Sequence, residues 1–325
     1  MSPTSLVKRC AVTLALLSFV VWPVPSSRAA GSAGDGVQIH EVDGKLRVEI
    51  DGELFTEYYY RDVPRPYLYP VIGPGGLPMS RNWPTKTTPN ESHDHPHHRS
   101  LWYAHGDING HDFWSEESKA GKTIHEKFTE IKSGKTEGLI RSRNKWVSVE
   151  GTTVCTDDRA WRIYDRPNER VIDFEITIHA SHGDLKFGDT KEGSMAIRLA
   201  ESLNLKGKYS HDGHIVNSEG VRDGETWGKR AEWCDYYGPI NGRTAGVAIF
   251  DHPQNPRHPT WWHVRDYGLF AANPFGVHDF EKKAPDTGSL SVAAGKDVTF
   301  KYRFYFHLGD TEQAKVAEHY REYAK

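Results

Sequence analysis

Hydrophobic and polar residues alternate in several short segments of the chain, with the two-residue period of half-buried β-strands. Glycine, proline, asparagine and aspartate separate these segments, as expected for turns. The pattern predicts an all-β protein. The segments are residues 37–42, 46–50, 54–60, 161–164, 171–179, 246–250 and 298–307.

Residues 312–323 show instead the 3.6-residue period of an amphipathic helix, with Asp310 or Thr311 as its cap. We find no repeat of fixed period and no long interior linker, so residues 31–325 are expected to form a single domain. The sequence therefore predicts one large antiparallel β-sandwich that ends in a short helix. The apolar side of that helix comprises Ala314, Val316, Ala317 and Tyr320.

The longest apolar stretch lies near the start of the chain, at residues 11–24. Lys8 and Arg9 precede it, and small residues around Ala29 and Ala30 follow it. These are the three parts of a secretory signal peptide, so we expect residues 1–30 to be removed and the protein to be periplasmic or secreted. An apolar core of about 14 residues is shorter than a membrane-spanning helix, so no stable span is expected after cleavage.

Composition narrows the classes of partner and chemistry. The formal net charge is −3 and no block of like charge occurs, which argues against nucleic acid as a partner. The chain has 18 histidines but only 3 cysteines and 3 methionines, so imidazole chemistry is better supplied than thiol chemistry. Cys155 and Cys234 can form a disulfide or remain two buried thiols. The oligomeric state stays open.

The most informative stretch is residues 92–114, SHDHPHHRSLWYAHGDINGHDFW, which holds six of the histidines. Close imidazoles can bind a divalent metal, or they can lower one another's pKa so that a base and an acid coexist near pH 7. The alternative is a set of hydrogen-bonded loop histidines without chemistry. We take as candidate catalytic residues His97, His98 and Arg99. Candidate metal ligands are His93 and His95, although the zinc spacing His-Glu-x-x-His is missing.

The same stretch interleaves aromatic side chains with carboxylates and amides. A sugar ring needs this combination, because aromatic rings stack on its C–H face while polar groups bind its hydroxyls. Aromatic residues that merely fill the core are the alternative. The candidate substrate-binding residues of this stretch are Trp102, His105, Asp107, Asn109, Asp112 and Trp114.

A second polar group lies in residues 251–276, where prolines and glycines hold loops in fixed shapes. His263 and Arg265 alternate along a predicted strand, so we expect both to face one cavity and take both as candidate catalytic residues. Asn273 is a candidate substrate-binding residue. The alternative places these side chains on a solvated face. Between the two stretches lie the guanidinium of Arg198 and carboxylates that could also supply a general base: Glu192, Glu201, Glu232 and Asp235.

Long blocks of the chain carry a resemblance to a known family. They are HDHPHHRSLWYAHGDINGHDFW, EGSMAIRLAE, AEWCDYYGP, GVAIFDHPQNPRHPTWWHVRDYGLFAANPFG and FYFHLGD, spread over residues 37–323. These blocks resemble the exported family that carries the label methane oxygenase PmoA, common in planctomycete-type bacteria. The resemblance implies a galactose-mutarotase-like β-sandwich, or supersandwich, and work on sugars or oxidised sugars. It assigns no catalytic residue.

The composition of this chain does not fit the membrane enzyme that the family label names. The membrane subunit of methane oxygenase spans the bilayer several times, whereas this chain has one short apolar segment and a mean hydropathy of −0.66. We therefore place a histidine-ligated metal oxygenase third among the functional hypotheses.

Motifs of several other enzyme classes are missing from the sequence: the Gly-x-Ser-x-Gly nucleophile elbow, the phosphate-binding loop and the dinucleotide-binding Gly-x-Gly-x-x-Gly. The first hypothesis is an exported carbohydrate-active enzyme that acts on a sugar or keto-sugar by histidine and carboxylate acid–base chemistry. Glycosidic cleavage, elimination and epimerisation all belong to that chemistry. A divalent metal is the one cofactor left open. The second hypothesis is a non-catalytic glycan-binding module.

Overall fold

The structure, a computed structural model, describes residues 1–2 and 35–325 and contains 18 β-strands in this part of the chain. The strands are β1 (Val37–Val42), β2 (Lys45–Ile50), β3 (Glu53–Tyr59), β4 (Tyr67–Leu68), β5 (Leu101–His105), β6 (Lys122–Lys132), β7 (Glu137–Val147), β8 (Thr153–Arg166), β9 (Glu169–His179), β10 (Leu185–Phe187), β11 (Gly193–Arg198), β12 (His214–Asn217), β13 (Trp233–Ile240), β14 (Arg243–Asp251), β15 (Trp261–Val264), β16 (Leu269–Asn273), β17 (Leu290–Val292) and β18 (Asp297–Leu308). Two α-helices, α1 (Val277–Glu281) and α2 (Val316–Tyr323), accompany them.

Most of these strands belong to two large antiparallel sheets. The first sheet has the order β1-β2-β3-β4-β5-β11-β16-β15, and the second has the order β12-β13-β14-β18-β9-β8-β7-β6. Strands β10 and β17 form a separate antiparallel pair. All of these elements lie in the unit Ala33–Lys325. The predicted signal peptide and its cleavage site lie in residues 1–30, outside the described residues apart from the first two.

The two sheets pack face to face, because each turns one apolar face inward. Tyr103 of β5 and Phe174 of β9 belong to this core, and their ring centroids lie 5.8 Å apart. Phe55 of β3 lies 6.4 Å from Phe306 of β18. The predicted antiparallel β-sandwich is therefore confirmed.

The first sheet carries a second apolar layer on its outward face. Neighbouring residues of a strand point to opposite faces, so Tyr103 points into the core and Trp102 points away from it. The strand register pairs Trp102 with Ala196, Ala196 with Ala271, and Ala271 with His263. These four residues consequently form one outward row across β5, β11, β16 and β15. This row underlies the candidate site.

The C-terminal helix begins later than the sequence predicted. It starts at Val316 rather than at Glu312, because Lys315 adopts a left-handed backbone with a φ of 50°. The Asp310 carboxylate accepts the backbone N–H of Gln313 at 2.9 Å, so residues 311–315 form turns instead of a first helical turn.

Two further features bear on the sequence analysis. Cys155 and Cys234 are free thiols, both buried. Burial raises the pKa of each thiol, so both stay protonated and unreactive near neutral pH. Within residues 1–2 and 35–325, no helix has the length and apolar character needed to cross a bilayer.

Candidate active site

A cavity of about 650 Å³ opens on the outward face of the first sheet. This volume lies in the range of sites for small molecules. It brings together residues from the two stretches that the sequence analysis selected. The first stretch contributes His95, His97, His98, Asp112 and Trp114. The second stretch contributes His263, Arg265 and Tyr267, and further charged residues of the lining are Glu117, Lys191 and Glu192.

Four aromatic rings form a stack along one wall of the cavity. His98 stacks on Trp102 with a centroid distance of 5.4 Å, and on its other side it stacks on His95 at 4.7 Å. His95 in turn stacks on Tyr267 at 5.2 Å. Trp114 also meets His98 in a T-shaped arrangement, with a centroid distance of 5.9 Å. Packing on both faces fixes the orientation of the His98 ring.

The partner of His98 determines which ring nitrogen carries its proton. The Nη1 of Arg198 donates a hydrogen bond to Nδ1 of His98 at 3.1 Å. A guanidinium has donors only, so Nδ1 must accept and Nε2 must carry the hydrogen. Burial lowers the pKa of His98 well below its usual value, and the charge of Arg198 lowers it further. His98 is therefore a neutral imidazole whose free group is an Nε2–H donor.

His263 has the opposite tautomer. Its Nδ1 lies 2.5 Å from the backbone carbonyl oxygen of Lys191. A carbonyl only accepts, so Nδ1 carries the hydrogen and Nε2 keeps a lone pair. Burial lowers the pKa of His263 to about 4, despite the hydrogen bond to Lys191 that acts in the other direction. At pH 7 this residue is a neutral imidazole with an unprotonated Nε2.

Asp94 holds the histidine wall in place. Its Oδ1 accepts a hydrogen bond from Arg198 Nη2 at 2.9 Å and a second one from Arg81. Its Oδ2 lies 2.8 Å from Nδ1 of His95. Burial alone would raise the pKa of Asp94, but the His95 hydrogen bond and the two guanidinium groups outweigh it and hold that pKa well below its usual range. The ionised carboxylate thus holds His95, which lines the cavity, together with the buried guanidinium groups of Arg81 and Arg198.

Arg65 connects the two segments that form the wall. This buried guanidinium donates to the backbone carbonyl oxygens of His97 at 3.1 Å and Trp114 at 2.8 Å. Arg99, a predicted catalytic residue, instead forms a two-pronged ion pair with Glu116, at 2.6 and 2.7 Å. Both arginines bind residues 114–116, Arg65 through backbone carbonyl groups and Arg99 through the Glu116 side chain, and neither is among the residues that line the cavity.

Two predicted substrate-binding residues are buried behind the cavity. His105 lies on the core side of β5, and its Nε2 donates to the carbonyl oxygen of Gly188 at 2.9 Å. The side-chain amide of Asn273 donates to the carbonyl oxygens of Thr190 and Lys191, at 3.0 and 2.9 Å. Asn273 therefore holds the backbone segment whose carbonyl group also fixes His263.

The remaining predicted substrate-binding residues are spread over several environments. Asp107 accepts the backbone N–H of Gly110 at 2.8 Å, and Asn109 is exposed in the same turn. Trp102 supports His98 from behind. Of this set, the cavity lining includes Asp112 and Trp114.

The two predicted metal ligands point to different neighbours. His93 stacks on Trp83 with a centroid distance of 4.5 Å, while His95 pairs with Asp94 and stacks within the wall. In the part of the chain that the structure describes, no group of three or more His, Cys, Asp or Glu side chains is arranged to hold a metal ion. Metal binding by His93 and His95 stays a prediction.

Sequence reasoning did not select Asp94 and Lys191, which help to organise this site, and it noted Arg198 without assigning it a partner. Arg198 interrupts the apolar run Met-Ala-Ile-Arg-Leu, and a charge inside such a run signals a buried group with a partner. Asp94 lies between the two predicted metal ligands, His93 and His95, and its charge could likewise have indicated a group with a partner. Lys191 acts on His263 through its backbone carbonyl, for which no side-chain signal exists.

Comparison with known proteins gives a family match and weak structural likenesses. The sequence profile of a family of unknown function, DUF6807, matches residues 45–321. Comparison with curated proteins found no match.

Three solved structures show the extent of the structural likeness. A protein described as a kojibiose phosphorylase from the human microbiome has a TM-score of 0.32 and 10% identity, covering 62% of this chain and 24% of that one. A glycoside hydrolase family 97 enzyme from a Pseudoalteromonas species, solved with acarbose, has a TM-score of 0.34 and 8% identity, covering 84% and 34%. A galactose mutarotase related enzyme from Lactobacillus acidophilus has a TM-score of 0.32 and 11% identity, covering 83% and 97%.

The chain thus spans about a quarter and about a third of the length of the first two proteins. At these scores and identities, the likenesses assign no substrate and no reaction to this chain.

Proposed function

The chain belongs to the DUF6807 family, whose function is unknown, and we propose that it is an exported carbohydrate-active enzyme that transfers a proton on a sugar or keto-sugar. The observation that carries the proposal is the pair of opposite tautomers in one cavity. His263 offers an unprotonated Nε2, and His98 offers an Nε2–H. Neither histidine has a described side-chain partner at its Nε2, so both atoms are left for a ligand.

These two groups supply complementary steps. His263 takes a proton from a sugar hydroxyl or from a carbon next to a keto group. The electron pair left behind moves onto a sugar oxygen, and the Nε2–H of His98 donates a hydrogen bond to that oxygen as it becomes negative. In an elimination, His263 then gives its proton to the departing oxygen. In an epimerisation, the intermediate first turns its other face toward His263, which then returns the proton to the carbon.

The walls of the cavity also match a sugar ring. Trp114, Tyr267 and Leu269 contribute apolar surface to the lining next to the two histidines, and such surface suits the C–H groups of a sugar. Asp112 and Glu192 add carboxylates for hydroxyl groups. Export is part of the proposal because of the signal-like sequence at residues 1–30.

Turnover measurements test the proposal. The protein without residues 1–30 would be assayed on a panel of glycosides and 3-keto-glycosides, with and without EDTA. We expect His263→Ala and His98→Ala each to lower turnover by roughly a hundredfold or more, because each removes one partner of the acid–base pair. His252→Ala, on the opposite side of the sandwich, is the control and should keep full turnover.

Two results would contradict the proposal. Full turnover in both cavity variants would remove His263 and His98 from the reaction. Binding of sugars without turnover of any of them would favour the glycan-binding module instead. Circular dichroism spectra that match those of the unmodified protein would show that the variants fold.

A further inference from the structure

We infer that the ligand of this cavity carries a carboxylate and that Arg265 binds it. The inference rests on the proposed function and adds its substrate class, an acidic sugar such as a uronate. It starts from the charges that the cavity presents and from the partners that the chain supplies for each of them.

Arg265 is half-buried and lines the cavity, two positions after His263. Its described contacts are with ring faces: its guanidinium carbon lies 5.9 Å from the ring centroid of Trp227 and 5.4 Å from that of Tyr267. Among the described residues, its guanidinium has no hydrogen-bond acceptor and no ion-pair partner. Ring faces orient a guanidinium without using its N–H groups, so its five donors remain for a ligand.

The other arginines around the cavity do have acceptors. Arg65 and Arg99 bind Glu116 or backbone carbonyl groups, and Arg81 and Arg198 bind Asp94. Polar groups that lose water on folding normally have hydrogen-bond partners within the protein. Arg265 has none among the described residues, and in this it differs from the other four arginines. The missing partner of Arg265 is consistent with a ligand that brings its own acceptor.

The second cation of the cavity is already neutralised. Nζ of Lys191 lies 3.4 Å from a carboxylate oxygen of Glu192 and 3.8 Å from one of Asp279. Arg265 therefore provides the available positive charge of the lining, within the described residues. An incoming carboxylate would not have to break an internal ion pair to reach it.

Within the described residues, the carboxylates that line the cavity do not pair with Arg265. Asp112 accepts the backbone N–H groups of Trp114 and Ser115, at 2.7 and 3.0 Å. Glu192 pairs with Lys191, and Glu117 is exposed. Arginine binds a carboxylate through two parallel hydrogen bonds, which supply both affinity and a fixed orientation. Such a pair would fix an acidic sugar close to Nε2 of His263.

Calorimetric titration with two matched pairs of sugars tests the inference. The probes are D-glucuronate against D-glucose and D-galacturonate against D-galactose. We expect the unmodified protein to bind at least one acid roughly tenfold or more tightly than its neutral partner, with a preference that weakens in 0.5 M NaCl, as charge pairing requires. Arg265→Met should abolish the preference, and Arg265→Lys should restore part of it. Arg321→Met, on the exposed side of α2, should retain it.

The outcomes separate this inference from the proposed function. Equal affinities within both pairs, or a preference that survives in Arg265→Met, would overturn the assignment of Arg265. The proposed function would then still be judged by the His263 and His98 variants. A protein that turns over a neutral glycoside but binds neither acid would likewise refute the acidic substrate alone. Lack of both binding and turnover with every probe would overturn both.

Discussion

At the scale of single residues, the two cavity histidines differ because their partners differ. A carbonyl oxygen next to Nδ1 of His263 forces the proton onto that atom, whereas the guanidinium of Arg198 next to Nδ1 of His98 keeps the proton off it. Burial keeps both rings neutral. The cavity thus holds an acceptor and a donor at the same pH, without needing one histidine to be charged.

The pKa of His263 sets the expected pH dependence of activity. Burial lowers this pKa to about 4, and the base works only while Nε2 is unprotonated. We therefore expect kcat/KM to stay level as the pH falls from 8 through about 6.5, where an ordinary histidine titrates, and to drop as the pH approaches 4. Initial-rate measurements over this range check it.

The control for this experiment is folding. An unfolded histidine takes up a proton near pH 6.5 while the buried one does not, so stability decreases as the pH falls below that value. Circular dichroism at each pH would separate unfolding from protonation of the base. An inflection in kcat/KM near pH 6.5, in protein that remains folded, would refute the assignment of His263.

At the scale of elements, strand β8 shows how one strand serves two environments. Asp157 is fully buried in the sandwich, where it pairs with Arg159 at 2.8 Å and accepts the indole N–H of Trp146 at 2.6 Å. Its neighbour Asp158 points outward and pairs with the partly exposed Arg143 at 2.8 Å. The two aspartates are thus a matched pair that differs in burial.

Replacing each aspartate by alanine should cost very different amounts of stability. Asp157→Ala leaves the buried Arg159 without its counter-charge, so we expect a loss of about 3–5 kcal/mol in the free energy of unfolding. Asp158→Ala breaks two partly solvated contacts, with Arg143 and with His179, and each should cost at most about 1 kcal/mol. Urea denaturation of both variants measures the difference. Equal losses would show that the inward charge pair does not stabilise the core.

The same strand explains how far the sequence predicted the fold. Alternation revealed residues 161–164, whereas β8 begins at Thr153. The inward positions before Trp161 hold Asp157 and Arg159, which look like surface residues in a hydrophobicity pattern. Local sequence cannot show that two charges on an inward face neutralise each other. Strands that are apolar on one face and polar on the other were therefore predicted, and β8 with its buried charges was shortened. Strands β11 and β16 are buried at every position, so they show no alternation and were missed.

The candidate site was predictable to a similar extent. The histidine-rich stretch and the alternation of His263 with Arg265 indicated residues that do line one cavity. The pairing of Arg99 with Glu116 and the inward position of His105 depend on strand register and on long-range contacts. A single sequence contains no direct record of either. Residue types thus indicated the region, while the structure distinguished lining residues from supporting ones.

At the scale of the whole molecule, the first sheet has two functions. One of its faces closes the apolar core and the other supports the cavity, so the site is built on strands rather than on loops alone. Its edge strand β1 lies far from the cavity in the strand order, and Val37 and Ile39 of β1 are buried against the core. Stability of the sheet and chemistry of the site can therefore be tested by separate changes.

Export and folding together give the last prediction. Cleavage after Ala29 or Ala30 would leave β1 intact, so we expect protein from the periplasmic fraction to show that new N-terminus by mass spectrometry and to unfold cooperatively in urea.

A protein truncated before Lys45 should lose several kcal/mol of stability, because burying Val37 and Ile39 contributes about 1.5–3 kcal/mol each. A cytosolic pool that retains Met1 would refute export, and equal stability of the two forms would refute the role of β1.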